Sequence, residues 1–427
     1  MFLFTDVQIV DGAGRDAYPG EVLVDGERIK AVAPAPAQLP RDGATVIAAP
    51  GCTLMPGLVE AHAHLSFTNM QDLYESVRIP VEEHLLATIE NAKLLLNHGF
   101  TSCFSAAAAK PRLDVLMRDA IESGRFPGPR LRAATQEMTP SGNLGDLDTL
   151  ELELPPSVRF AVTCDSPDAF RAACRRAARE GVDTFKVNVS GDRDFGAWGA
   201  GSDATVITDE ELAAVVQVAR ARGKAVAAHA TSAGSVKMCV RHGVDVIYHA
   251  ALADAEALDL LESVKDRVFV GPTIGFPYTL THEADRYGVL HDAPTRRRLE
   301  GELQSIVDNC IEMRKRGIRV LPGGDYGLFC NPQGTNARDL EHFVTLLGYT
   351  PAQAIAAATR DGGALMGLGD ELGQVKEGFL ADLLLVDGDP LSDIAILQDA
   401  NRLRGIMQAG RFHKAPGELT ESRVAAE

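Results

Sequence analysis

Short apolar runs alternate with helix-patterned stretches through most of the chain. Thr208-Asp209-Glu210-Glu211 has the form of a capping box. Leu212, Val215, Val216 and Ala219 then recur at the spacing of one helix face, and Gly223 closes the pattern. Ser166-Pro167-Asp168 predicts another helix start, with a capping serine and a proline in the first turn, and Gly181 predicts its end. Thr350-Pro351-Ala352-Gln353 predicts a third start. Among these helices lie eight apolar runs, at 57–63, 101–105, 130–134, 184–189, 225–229, 244–249, 268–274 and 318–324. Strand and helix repeated eight times is what a closed (β/α)8 TIM barrel requires. No Gly-x-Gly-x-x-Gly turn supports the competing doubly wound open sheet.

The two ends of the chain are patterned differently. Val22 to Asp25 and Arg28 to Val32 read as a hairpin around Asp25-Gly26, a pair that tolerates the positive φ of a type I′ turn. A second strand-like patch runs over Gly373–Gly378 and Ala381–Val386, before Asp387-Gly388-Asp389-Pro390. Neither patch has enough strands to bury a face alone, so the ends are expected to meet in one composite domain. The expected fold is α/β: residues 1–56 plus 369–415 form a small composite β-sandwich domain, 57–368 the (β/α)8 barrel, and 416–427 a flexible tail.

Composition narrows the function. The 427 residues carry 42 basic and 59 acidic side chains, a formal charge of −17, which disfavours nucleic acid or an anionic membrane as partner. No apolar stretch approaches the length of a membrane span. The first residues lack the basic start of a signal peptide, so the chain as given reads as cytoplasmic, or as secreted or periplasmic if a leader was removed. Seven scattered cysteines without a Cys-x-x-Cys pair read as small buried hydrophobes, not as disulfides or a thiolate metal site.

Active sites of such barrels lie at the C-terminal ends of the strands, where this chain concentrates its chemistry. The first run ends in Glu60-Ala61-His62-Ala63-His64, and residues two apart on a strand point the same way. Lys186 lies in the fourth run, His229 and His249 end the fifth and sixth, and Asp325 follows Gly323-Gly324 at the eighth. Alone, an isolated lysine would snorkel and an aspartate after two glycines would be a turn residue. Six such residues at five strand ends point to one site. His84, His98, His242, His342 and His413 fall in helices or edge strands, with surface or core roles expected.

Pro56-Gly57-Leu58-Val59-Glu60-Ala61-His62-Ala63-His64 resembles the Pro-Gly-Leu-Ile-Asp-x-His-x-His signature of the metal-dependent amidohydrolase superfamily. Gly373–Gly378 followed by Ala381-Asp382-Leu383 resembles its C-terminal strand signature, and 336–367 resembles its helical stretch after the catalytic aspartate. The chain is similar to the imidazolonepropionase-like and Xaa-Pro-dipeptidase-like branch, and within it to ochratoxin-degrading amidohydrolases. The resemblance implies two metal ions, zinc first, with other divalent metals compatible. His62 and His64 would hold the more buried ion and His229 and His249 the more exposed one. Lys186, carboxylated, would bridge them, and Asp325 would ligate the buried ion. It also implies amide hydrolysis by attack of a bridging hydroxide, with Asp325 acting as base and then acid; Asp325, His249 and Lys186 form the catalytic set. A homo-oligomer and a small-molecule amide substrate belong to the same expectation. Glu60 departs from the usual Asp and is expected to orient a ligand. Thr139–Leu144 stands in place of a Gly-Gly-His-Gly loop, with Asn143 expected to substitute for its histidine.

The stretch 275–283 beyond the seventh run supplies Tyr278 and His282 as expected substrate contacts, with Leu65, Phe67 and Phe329 completing an aromatic pocket. Such a pocket suits N-acyl or aminoacyl amino acids with an apolar side chain, such as an ochratoxin-type N-acyl-phenylalanine or an Xaa-Pro dipeptide. The rivals are a cyclic amide hydrolase of imidazolone or hydantoin type, a lactonase or phosphotriesterase on the same metals, and an inactive scaffold. The six intact ligand positions argue against the last.

Overall fold

The computed structural model describes residues 1–149, 151–192 and 200–417. At the N-terminus, strands β1 (Phe2–Ile9), β2 (Tyr18–Asp25), β3 (Arg28–Pro34), β4 (Thr45–Ala48) and β5 (Cys52–Pro56) follow in quick succession. The expected hairpin joins β2 to β3, but Asp25 pairs with Arg28, so the turn residues are Gly26 and Glu27. Only Gly26 has a positive φ (59°), whereas a type I′ turn needs it at both positions.

The middle of the chain supplies β6 (Leu58–Ala63), β7 (Phe100–Ser105), β8 (Arg130–Arg132), β9 (Ala134–Thr139), β10 (Ala161–Thr163), β11 (Thr184–Asn188), β12 (Ala225–Ser232), β13 (Val246–Leu252) and β14 (Phe269–Gly271). Helices separate most of them and begin and end where the capping chemistry predicts. Ser166 caps one at Ala169 N–H, and Thr208 with Glu211 and Thr350 with Gln353 complete capping boxes. Every pairing among these strands is parallel, so their C-terminal ends, with the chemistry they carry, share one face.

The expected closed barrel is not a single hydrogen-bonded ring. The strands form two parallel sheets, β6-β7-β8 and β10-β9-β11-β12-β13-β14. The third run is divided at Ala133, whose N–H donates to Asp183 Oδ2 (2.9 Å) instead of to a ladder; beyond it β10 takes the edge of β9. The eighth run makes one parallel bridge, Val320 to Val270, in place of a strand. It lies against β6 through Gly323, where a β-carbon would stand 2.8 Å from the His62 nitrogen, so only glycine permits the approach.

Three strands, β15 (Leu383–Asp387), β16 (Leu403–Gln408) and β17 (Arg411–Lys414), return to the N-terminal ones. All pair in one sheet of order β17-β16-β15-β5-β1-β2-β3, with β4 also on β1. Phe4, Ile9, Val22 and Leu54 from one end pack with Leu383, Leu385 and Met407 from the other. Gly373–Gly378 is a loop, not the strand its pattern suggests: both glycines have left-handed φ (88° and 86°), and Val375 N–H donates to Asp11 O. All seven cysteines are buried and free. The expected tail falls, from 418 onward, outside the described residues.

Candidate metal centre

The site is built from strand ends. On β6, His62 and Glu60 share a face, and His64 follows one residue past the strand. Each ring is fixed through Nδ1: His62 to the Thr273 hydroxyl (2.9 Å) and His64 to the Ala107 carbonyl (3.0 Å). The Ala107 carbonyl can only accept, so His64 Nδ1 is a donor. His64 Nε2 faces Asp325 Oδ1 at 3.1 Å, and His62 Nε2 lies 3.8 Å from the same oxygen. The rings of His229 and His249 are 4.3 Å apart, and that of His249 is 5.6 Å from His62.

Backbone strain is concentrated here. His249 (φ 75°), Ala250 (50°), Thr273 (56°) and Asp325 (61°) are left-handed without being glycine. Such residues cost about 1–3 kcal/mol each and persist only where surrounding structure imposes them. They follow three successive barrel runs and aim His249, Thr273 and Asp325 at one point. Ligand atoms of His62, His249 and Asp325 lie within 4.8 Å of one another, a group that crosses the two expected histidine pairs.

Burial sets the protonation. It holds His62 and His229 well below the usual imidazole range and brings His249 down to about 4, so all three are neutral at pH 7. Burial also lowers Lys186, toward the neutral amine that carboxylation needs. Burial pushes the Asp325 carboxyl up, but the imidazoles of His62 and His64 bring it well below the ordinary carboxylate range. Beneath the site Glu60 is pushed up to about 8, by burial first and Asp339 second. It accepts from His62 N–H (2.9 Å) and Asn336 Nδ2 (2.8 Å), so it anchors the backbone of His62, not a ring.

Lys186 is buried, its Nζ 4.9 Å above the Tyr248 ring. Tyr248 stacks on His62 at 3.8 Å and donates to the Ala61 carbonyl (2.9 Å), a support no sequence signal marks. Two cavities meet at His229, His249, Asp325 and Asp192. The larger, about 310 Å³, is walled by Phe276, Pro277, Leu280, Leu299 and Ile306, with Arg298 its only arginine or lysine among the described residues. The smaller, about 40 Å³, has Lys186 and Glu137 between Phe67, Leu144, Phe160 and Leu328.

Five expected substrate contacts line neither cavity. Tyr278 and His282 lie on the helix Gly275–His282, whose cavity face is Phe276, Pro277 and Leu280. Tyr278 packs instead on His342 (4.4 Å between rings) and His282. Asn143 is buried and donates to Thr139 Oγ1 (3.1 Å), while its neighbour Leu144 reaches the small cavity. Phe329 meets Tyr287 at 6.2 Å, and Leu328 takes the inward place. Leu65 lies in the barrel core. Glu137, Thr273 and Arg298 are site residues that sequence reasoning misses. Only the structure marks Glu137, as a charged residue inside the wholly buried strand β9.

The model of a protein family described as the Amidohydrolase family matches residues 53–412. An ochratoxinase of Aspergillus niger is 24% identical over 391 residues, covering 85% of this chain and 76% of its own. An imidazolonepropionase of Micrococcus luteus is 26% identical over 442 residues, covering 96% of this chain and 98% of its own. Among solved structures, a Xaa-Pro dipeptidase with methionine in its active site superposes with a TM-score of 0.84 at 24% identity, over 97% of this chain and 100% of that one. Among the described residues no helix is long and apolar enough to cross a membrane.

Proposed function

The chain belongs to the Amidohydrolase family, and from that premise we propose that it is a zinc-dependent hydrolase of the amide bond in N-acyl or aminoacyl amino acids with a bulky apolar side chain. The observation that carries the reading is the donor set itself. His62 Nε2 is buried without a hydrogen-bond partner among the described residues, and His64 Nε2 and the Asp325 carboxylate converge beside it, 3.1 Å apart. Imidazole nitrogens converging on a carboxylate in a buried site are what zinc binds. The residues therefore fit a metal centre. His62, His64 and Asp325 would hold one ion and His229 and His249 a second, with Lys186, carboxylated, between them. Bound there, the ions supply an activated water near neutral pH and Lewis acidity toward the amide carbonyl.

The protein's own groups do the rest. Asp325 takes the proton of the attacking water and delivers it to the departing amide nitrogen, which leaves poorly unprotonated. Apolar walls in the large cavity receive the side chain of the amino-acid half, and Arg298 on the helix Ala293–Lys315 meets its carboxylate. Likeness to an imidazolonepropionase over nearly the whole chain favours one second reading, a cyclic amide hydrolase. The apolar walls of the large cavity weigh against it, because a polar ring needs dense hydrogen bonding. The test is hydrolysis by the zinc-loaded protein of ochratoxin, N-acyl-phenylalanines, aminoacyl-proline dipeptides, a hydantoin and imidazolonepropionate. Release of the amino acid from linear substrates supports the proposal; activity on the rings alone transfers the protein to the second reading.

A further inference from the structure

Glu137 is a charged group that this mechanism does not use. It pairs in register with Lys186 across the β9–β11 ladder, so both side chains enter the barrel at one level. It is 6% exposed and lines the small cavity, which Phe67, Leu144, Phe160 and Leu328 wall beside the polar groups of the centre. One oxygen, Oε2, accepts from Asn188 Nδ2 at 2.8 Å; the other accepts no hydrogen bond among the described residues. Gly145 leaves the carboxylate room, since a β-carbon there would stand 3.0 Å from Oε2. A buried carboxylate with one neutral donor is costly unless a cation completes it. Lys186 is the adjacent cation, but as a carbamate it would no longer be one.

We propose that Glu137 and the small cavity form an ammonium subsite for the substrate's free α-amino group, so that the substrates are unblocked dipeptides in preference to N-acylated amino acids. This rests on the amide-hydrolase reading above. At about 40 Å³ against about 310 Å³, this is the smaller of the two cavities, so the residue that enters it is the smaller one, glycyl or alanyl. The bulky residue then occupies the large cavity, and the scissile carbonyl lies between them at His229, His249 and Asp325.

The test uses two substrates of the same shape, glycyl-phenylalanine and N-propionyl-phenylalanine, in which an ammonium replaces a methyl group. With the zinc-loaded protein the glycyl compound should have the higher kcat/KM by about 100-fold, and Glu137→Gln should bring the ratio to within about 3-fold of unity. Glu137→Asp should retain part of the preference. A wild-type protein without the preference, a Glu137→Gln protein that keeps it, or one that slows both substrates alike through loss of zinc on metal analysis, would overturn the proposal. If neither compound is cleaved, the hydrolase reading fails, and calorimetric titration of both ligands still decides the subsite. Tighter glycyl binding lost in Glu137→Gln upholds it; equal binding overturns it.

Discussion

The two cavities share His229, His249 and Asp325 but are walled by different kinds of structure. The small one takes Glu137 and Lys186 from the paired strands β9 and β11. The large one takes most of its apolar wall from the helices Gly275–His282 and Ala293–Lys315, where the Arg298–Glu302 ion pair (2.8 Å) has side chains 47% and 48% exposed. A buried strand fixes a charge firmly and makes its loss expensive, whereas a half-exposed helix pair is screened and exchanges partners at little cost. The difference assigns strict chemical selection to the small cavity and tolerance of size to the large one.

The most damaging change removes what the cavities share. Asp325→Asn keeps the shape but not the base, and should lower kcat about 1,000-fold on every linear substrate, whichever cavity its bulky end prefers. Steady-state rates on glycyl-phenylalanine and an aminoacyl-proline check this, and a loss confined to one of them would mean that the two cavities do not serve one centre.

Walls come next. Leu144→Ala enlarges the small cavity and should raise kcat/KM for alanyl- over glycyl-phenylalanine about 10-fold, while Leu280→Ala, in the large cavity, should leave that ratio unchanged. Arg298→Ala should raise KM about 10-fold for substrates with a free carboxylate and leave their carboxamides unaffected, with kcat held. If Leu280→Ala changes the glycyl–alanyl ratio as Leu144→Ala does, the two cavities have been assigned to the wrong halves of the substrate.

The same contrast explains what was legible in the sequence. A parallel strand ends in a known direction, so His62, His64, Lys186, His229 and His249 could be assigned to one face from spacing alone, and all reach it. Loops lack that fixed direction. Leu144, Leu328 and Leu280 occupy the places expected of Asn143, Phe329 and Tyr278, because the chain turns inward a residue or two away from each. Glu137 escaped because the apolar pattern of the third run stops at 134, while the strand continues through Thr139. The break at Ala133 that leaves the barrel open depends on Asp183, 50 residues downstream, which no local pattern reports.

The smallest effect concerns how the large cavity's wall is held. Burial, and then the charge of Arg338, brings His342 from 6.5 down to about 4, with Glu283 opposing, and its ring supports Tyr278 on the outer face of the helix Gly275–His282. The folded protein keeps His342 neutral down to about pH 4, whereas the unfolded chain takes up the proton near 6.5. Between those values the unfolded state binds more protons, so stability is complete above pH 6.5 and falls as the pH falls through the window, by at most about 3 kcal/mol at its lower end. No histidine lies within residues 137–144. Acid should therefore loosen residues 275–282 before 137–144, and hydrogen exchange at pH 7 and pH 5 measures both segments. His342→Gln should flatten the fall of Tm over that range by a few degrees. Equal loosening of the two segments, or an unchanged slope in His342→Gln, would show that the two walls are held alike.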